Sequence, residues 1–154
     1  MGTAKQDRVL VEKYLNFTLV SHSNLNGHMK KIISTPHAPA PIGPYNQAIL
    51  VKDTLYISGQ IPIDPATGTL VEGDIGSETK QAMENLKAIL LEAGMDFENV
   101  VKANIFLKDM HQFNDVNAVY GSYFNESTAP ARETVEVANL PKFVKVEISM
   151  VAVK

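Results

Sequence analysis

The chain has no cysteine and no tryptophan among its 154 residues. Without cysteine there is no disulfide, no thiolate nucleophile and no zinc–thiolate site. The four histidines, His22, His28, His37 and His111, show no metal-ligand spacing. Long apolar runs are also missing, and no stretch would span a bilayer. There is no basic block, and the net charge is −3. That balance argues against nucleic acid as the main partner, because phosphate affinity needs a basic patch. Gly68, Gly73 and Gly76 are scattered and make no phosphate cradle. No Walker loop and no Gly-x-Ser-x-Gly elbow is present. Lys80 and Lys108 read as solvated charge, and nothing singles out a Schiff-base lysine.

What remains is an ordinary globular composition, 45% hydrophobic and 20% charged, of a length that suits one domain. Residues 1–28 are unlike the rest. Their apolar positions, such as Leu10, Leu15 and Leu19, are interrupted by Glu12, Lys13 and Asn16, a poor signal-peptide core. Met29 reads as a natural start. The first 28 residues are therefore expected to be an extension from an upstream start codon or an expression vector, with a regulatory or targeting arm as the alternative. The domain is expected to be 29–154. Asn16-Phe17-Thr18 and Asn125-Glu126-Ser127 match the glycosylation pattern, but with no secretory signal they read as chance. A cytoplasmic location is expected.

The pattern then alternates between strands and helices. Lys31–Ser34 is a short strand candidate. Four prolines and a glycine between Pro36 and Pro44 forbid helix and central strand alike. Tyr45–Val51 and Leu55–Ser58 read as a hairpin about Lys52-Asp53-Thr54. Gly59–Gly73 is loop-like. Ile75, Thr79, Ala82, Met83, Leu86, Ile89, Leu90 and Ala93 share one helical face, with Asp74 and Gly94 as caps. Val101–Lys108 alternates as a strand, and Met110–Phe124 reads as a second helix. Arg132–Ala138 and Val144–Val153 are the last strands. The order predicts α+β, a mixed sheet with two helices on one face. The final strand is apolar on both faces, so the side away from the helices is expected to pack against another subunit. Glu147 would lie in or near that interface, where a buried acid is usually paired or functional.

Arg132 follows Ala129-Pro130-Ala131, where a loop runs into a strand. Arginine there offers a rigid fork of donors suited to a carboxylate. By alternation alone Arg132 is equally a surface or salt-bridged residue at a loop end. Glu147 is equally the partner of a structural lysine, and Tyr45 a packing residue. Ser58-Gly59-Gln60 ends a strand, where glycine often permits close approach of a ligand or backbone.

Four segments taken together decide among these readings. Ile42-Gly43-Pro44-Tyr45-Asn46-Gln47-Ala48, Ile57-Ser58-Gly59-Gln60-Ile61-Pro62, Pro130-Ala131-Arg132 and Leu140-Pro141-Lys142 through Lys145-Val146-Glu147 closely resemble the RidA (YjgF-like) family of enamine/imine deaminases. The resemblance covers Met29–Lys154. It implies a chorismate-mutase-like fold and a homotrimer with sites in clefts between subunits. It implies hydrolysis of 2-aminoacrylate and 2-aminocrotonate, through 2-iminopropanoate and 2-iminobutanoate, to 2-oxo acids and ammonia, with no cofactor and no metal. By the same resemblance Arg132 binds the substrate carboxylate, Glu147 orients or activates water, and Tyr45, Ser58, Gly59 and Asn117 line the pocket. Thr134 stands where archetypal members carry cysteine; its hydroxyl and N–H could still bind ligand, but it supplies no thiol. Two alternatives are a trimeric, non-catalytic binder of 2-oxo acids and a ribonuclease or translation inhibitor. A carboxylate at Glu147 argues against the first, since it would repel an anion. The acidic balance and lack of a catalytic histidine pair argue against the second.

Overall fold

A computed structural model describes residues 30–154. The expected extension 1–28 and the start at Met29 lie outside the described residues. Six strands, β1 (Lys31–Ile33), β2 (Ala48–Val51), β3 (Thr54–Gln60), β4 (Val100–Leu107), β5 (Ala131–Glu136) and β6 (Val146–Val153), form one sheet in the order β1-β2-β3-β6-β4-β5. Only β4 and β5 pair in parallel; every other neighbouring pair is antiparallel. Helix α1 (Ile75–Glu92) connects β3 to β4, and α2 (Phe113–Gly121) connects β4 to β5. A parallel pair needs such a crossover, because a short turn cannot bring the chain back to the same end.

The α1 signals act as the sequence predicts. Asp74 accepts from the Ser77 N–H at 2.7 Å, which satisfies one of the free donors of the first turn. At the other end Gly94 takes φ +68°. The Gly94 and Met95 N–H groups return to the carbonyls of Leu91 and Leu90, each at 2.9 Å, a closure that a left-handed glycine permits. Ala82, Met83, Leu86, Ile89 and Leu90 are wholly buried against the sheet. Their sheet partners are Leu55, Ile57, Ala103, Ile105, Leu107, Val146, Ile148 and Met150. These belong to one face: Ile105 pairs with Ile148, Ala103 with Met150, and Ile57 with Met150.

The second helix is shorter than Met110–Phe124. Residues Met110–Gln112 form a separate 3-10 turn. Asp109 accepts from the His111 N–H at 2.9 Å and Glu136 from the Met110 N–H at 2.8 Å, so side chains satisfy donors that have no acceptor within the turn itself. The expected strand at Tyr45 begins only at Ala48, since the Tyr45 N–H folds back onto the Gly43 carbonyl at 2.8 Å. The last strand begins at Val146 rather than Val144, after a 3-10 turn at Pro141–Phe143.

Among the described residues no helix covers the other face of the sheet. Ile32, Tyr56, Val135 and Val153 are exposed on it, beside half-buried Phe106, Glu147, Ser149 and Val151. The two-sided apolar pattern of β6 is thus real, and among the described residues no helix packs on its second side. Among the described residues no helix is long and apolar enough to cross a membrane.

Candidate active site

Proline supplies no N–H and restricts its neighbours, so the stretch 36–44 cannot organise itself by backbone pairing. The buried side chain of Gln47 does it instead. Its carbonyl oxygen accepts from the Thr35 N–H at 2.7 Å. Its amide donates to the carbonyls of Thr35, Ala38 and Pro39 at 2.9–3.0 Å. This clamp places Ile42 and Tyr45 against the end of β3, where Tyr45 Oη accepts from the Ile42 N–H at 3.3 Å.

The end of β3 is itself irregular. Ile57 pairs with Met150 but Gln60 with Ile148, so one extra residue is inserted at Ser58–Gly59. Such a bulge bends the strand and re-aims its side chains. Ser58 Oγ donates to the Asn46 carbonyl at 2.7 Å. The Glu147 side chain lies directly over Gly59: a Cβ at that position would stand 2.7 Å from the Glu147 Cδ. Only glycine leaves room for the carboxylate. Tyr45, Ser58, Gly59 and Glu147 line one depression of about 340 Å³, completed by Ile42, Ile61 and Pro141. Burial pushes the Glu147 carboxyl up from its ordinary value, and among the described residues no cation offsets this.

Pro141 reaches this depression from a strained turn. Lys142 and Phe143 both take the left-handed conformation, φ +55° and +57°. Each such residue costs roughly 1–2 kcal/mol. Phe143 is also 84% exposed, so its own burial does not offset that cost.

Arg132 occupies different ground. It pairs with Ala103, a core residue, and therefore faces the helices. There α2 presents Phe113, Asn117 and Tyr120, spaced to share one face of the helix. Arg132 Nη1 donates to Asn117 Oδ1 at 2.8 Å. The guanidinium carbon lies 4.9 Å from the Tyr120 ring centre and 5.7 Å from that of Phe113, within cation–π reach of both. Burial pushes the Tyr120 hydroxyl up to about 12 against the opposing influence of Arg132, so it stays protonated. Arg132, Asn117 and Tyr120 border a second depression of about 520 Å³ with Glu126 and Pro130. Thr134 points to the same side as Arg132, yet its hydroxyl is buried without a hydrogen-bond partner and borders neither depression.

The seven residues singled out from the sequence thus fall into two groups and one outlier. Tyr45, Ser58, Gly59 and Glu147 converge, Arg132 and Asn117 converge, and Thr134 stands apart. The groups do not meet within the chain. Arg132 is two strands from β6, and it pairs with Ala103 whereas Glu147 pairs with Phe106. Strand spacing and rise put their backbones roughly 14 Å apart. An odd separation along β4 also sends the side chains to opposite faces. Sequence reading missed Phe113 and Tyr120 as supports of Arg132. It also missed Ile42, Ile61 and Pro141 as walls. The helical spacing 113–117–120 was the available signal for the first pair; for the walls there was none, since only folding brings them together.

Residues 35–154 match the family model described as Endoribonuclease L-PSP. A RutC family protein of Synechocystis is 58% identical over 80% of this chain and 95% of its own length. The 2-iminobutanoate/2-iminopropanoate deaminase of Bos taurus is 54% identical over 82% of this chain and 91% of its own. Among solved structures, E. coli TdcF with bound serine is 40% identical, covering 80% of this chain and 98% of that one, with a TM-score of 0.76.

Proposed function

The chain belongs to the Endoribonuclease L-PSP family, also called the RidA (YjgF-like) family, and we propose that it hydrolyses 2-iminopropanoate and 2-iminobutanoate to 2-oxo acids and ammonia. The curated deaminases from cattle, human, goat and mouse, at 50–54% identity, support a hydrolase of this class. The reaction adds water across a protonated C=N bond: R–C(=NH2⁺)–COO⁻ plus H2O gives R–CO–COO⁻ plus NH4⁺. The carbon is already electrophilic, so a protein nucleophile is unnecessary. The protein has to hold the carboxylate, hold a water, and carry a proton from that water to the leaving nitrogen.

Arg132 suits the first task and Glu147 the others. The observation that carries the reading is the Glu147 carboxylate laid over Gly59 in a depression walled by apolar residues. Burial raises its affinity for a proton above that of an ordinary carboxylate, the direction a proton carrier needs. A protein that merely held 2-oxo acids would be weakened by that charge.

The carboxylate and imine carbon of the substrate are bonded to each other, so Arg132 and Glu147 must act within a few ångströms. One chain holds them roughly 14 Å apart on opposite faces. We therefore assign each site to two copies of the chain, one giving Arg132 and Asn117, the other Tyr45, Ser58, Gly59 and Glu147, within a homotrimer closed over the uncovered sheet face. RNA is a poorer fit: the residues lining the two depressions include one cation, Arg132, against Glu126 and Glu147.

The test is direct. 2-Iminobutanoate is generated in situ from threonine by a dehydratase, and the added protein should speed release of 2-oxobutanoate. Light scattering on the same preparation should report a trimer. No acceleration removes the enzyme reading, and a stable monomer at micromolar concentration removes the shared site.

A further inference from the structure

Resting on the hydrolase reading, we propose that Ile61 sets how long an apolar substrate side chain the site accepts. Three of the residues lining the Glu147 depression are apolar walls, Ile42, Ile61 and Pro141, and no lining residue carries a cation or an amide side chain. Once Glu147, Ser58 and Tyr45 are engaged at the reacting centre, a polar substrate side chain would lose water there without gaining a partner. The class this wall fits is 2-imino acids with aliphatic side chains.

Beside the wall lies a second, smaller space of about 20 Å³. That is room for about one water sphere, too little for a chain of carbons. Four residues border both spaces: Ile42, Tyr45, Gly59 and Ile61. Ile42 and Tyr45 are 59% and 45% exposed, and Gly59 has no side chain. Ile61 alone among them is a buried side chain, packed with Ile63, Leu140 and Val144. Its backbone is pinned as well. The buried amide of Asn85 donates to the carbonyls of Ile61 and Ile63 at 3.2 and 2.9 Å, and Asn85 Oδ1 accepts from Gln81 at 2.9 Å. Helix α1 thus fixes the height of this wall from beneath. Shortening Ile61 would join this space to the depression and deepen it along the wall that Ile42, Tyr45 and Ile61 share.

The experiment compares a short and a long imine on the parent, Ile61→Val and Ile61→Ala. An amino-acid oxidase supplies them from alanine and from leucine. The measured quantity is the ratio of kcat/KM, long over short. In parallel, calorimetry gives the ratio of affinities for 4-methyl-2-oxopentanoate and pyruvate. Each methylene newly accommodated favours the long substrate by about fourfold. Ile61→Val should therefore raise both ratios about fourfold, and Ile61→Ala should raise them further. The valine variant removes one methylene and carries the test if the alanine variant does not fold. Ratios that stay at the parent value in a folded variant, or fall, overturn the assignment. If the parent hydrolyses neither imine while the binding ratio still shifts with Ile61, the hydrolase reading fails and Ile61 keeps its role as the wall of a 2-oxo acid site.

Discussion

Arg132 and Glu147 stand on strands separated by a single neighbour, yet their surroundings differ in kind. Arg132 faces the covered side of the sheet. Its charge is braced by one hydrogen bond and two aromatic rings, all from one face of α2. Glu147 faces the other side, over a glycine in a bulge, and among the described residues no cation pairs with it. The first arrangement fixes a permanent charge in place, which lowers the ordering cost of binding an anion. The second raises a carboxylate's affinity for its proton by burial. The roles proposed for the two residues, anchor and proton carrier, call for this difference.

The largest expected effect breaks the anchor. Arg132→Ala removes at least one charge-assisted hydrogen bond to substrate, each worth roughly 1.5–3 kcal/mol. Loss of the bidentate pair should abolish measurable imine hydrolysis while the trimer persists. Arg132→Lys should rescue poorly, because a point charge does not reproduce the fork. Parent-like turnover by a folded alanine variant would remove Arg132 from the site.

Next comes the proton carrier. Glu147→Gln keeps the shape and should lower kcat by about 10²–10⁴-fold, while 2-oxo acid binding is kept or tightened. The parent rate should fall as pH drops through the raised Glu147 value, and the glutamine variant should lack that limb. The sign for stability is opposite. The folded chain holds this proton to higher pH than the unfolded chain. The associated stability is therefore present below the ordinary carboxylate range and lost as pH rises through the folded value. Melting scans across that window should show Glu147→Gln gaining on the parent toward neutral pH; parallel curves would mean that Glu147 is not tuned by burial.

Gly59→Ala attacks the same half by geometry alone. A methyl there must displace Glu147, and a misplacement of about 1 Å can cost about 10²-fold. The expected signature is a fall in kcat with anion binding unchanged, read by combining turnover with calorimetry.

The brace gives a smaller effect of the opposite type. Tyr120→Leu removes a cation–π contact worth about 0.5–2 kcal/mol, so KM should rise with kcat nearly kept. Tyr120→Phe retains the ring and deletes a buried hydroxyl that has no partner. It should keep the parental KM without lowering Tm. If phenylalanine raises KM as much as leucine does, the hydroxyl rather than the ring supports Arg132.

The smallest change lies outside both halves. Phe143→Gly relaxes one of two successive left-handed residues and should stabilise the chain by roughly 1 kcal/mol. Thermal unfolding checks this, and unchanged kcat/KM would separate the strain at Phe143 from the placement of Pro141.

Much of this was legible from residue order. The α1 face from Ile75 to Ala93 and its caps at Asp74 and Gly94 were readable because helix periodicity and capping are local. The two faces of β6 were readable because side chains alternate whatever the surroundings. Arg132 and Glu147 stood out through the motifs around them, and the bare sheet face followed from two-sided apolarity with too few helices to cover it. The ends of α2 were not readable. The turn before this helix is held in part by Glu136, which arrives from β5 to take the Met110 N–H, a contact between positions 26 apart.

The tertiary structure decided the rest. Gln47 and Asn85 are unremarkable in the sequence, yet one organises the proline-rich loop and the other pins the Ile61 wall. Their partners are backbone carbonyls far along the chain, and carbonyls carry no sequence signal. The resemblance implied clefts between subunits, but which candidate residues fall in which half was equally hidden. It follows from a strand order that sets β6 beside β4 and from the odd spacing between Ala103 and Phe106, which turns the two functional side chains to opposite faces of one sheet. Local order determines which residues carry chemistry; only the pairing of distant strands determines that one chain does not bring them to the same substrate.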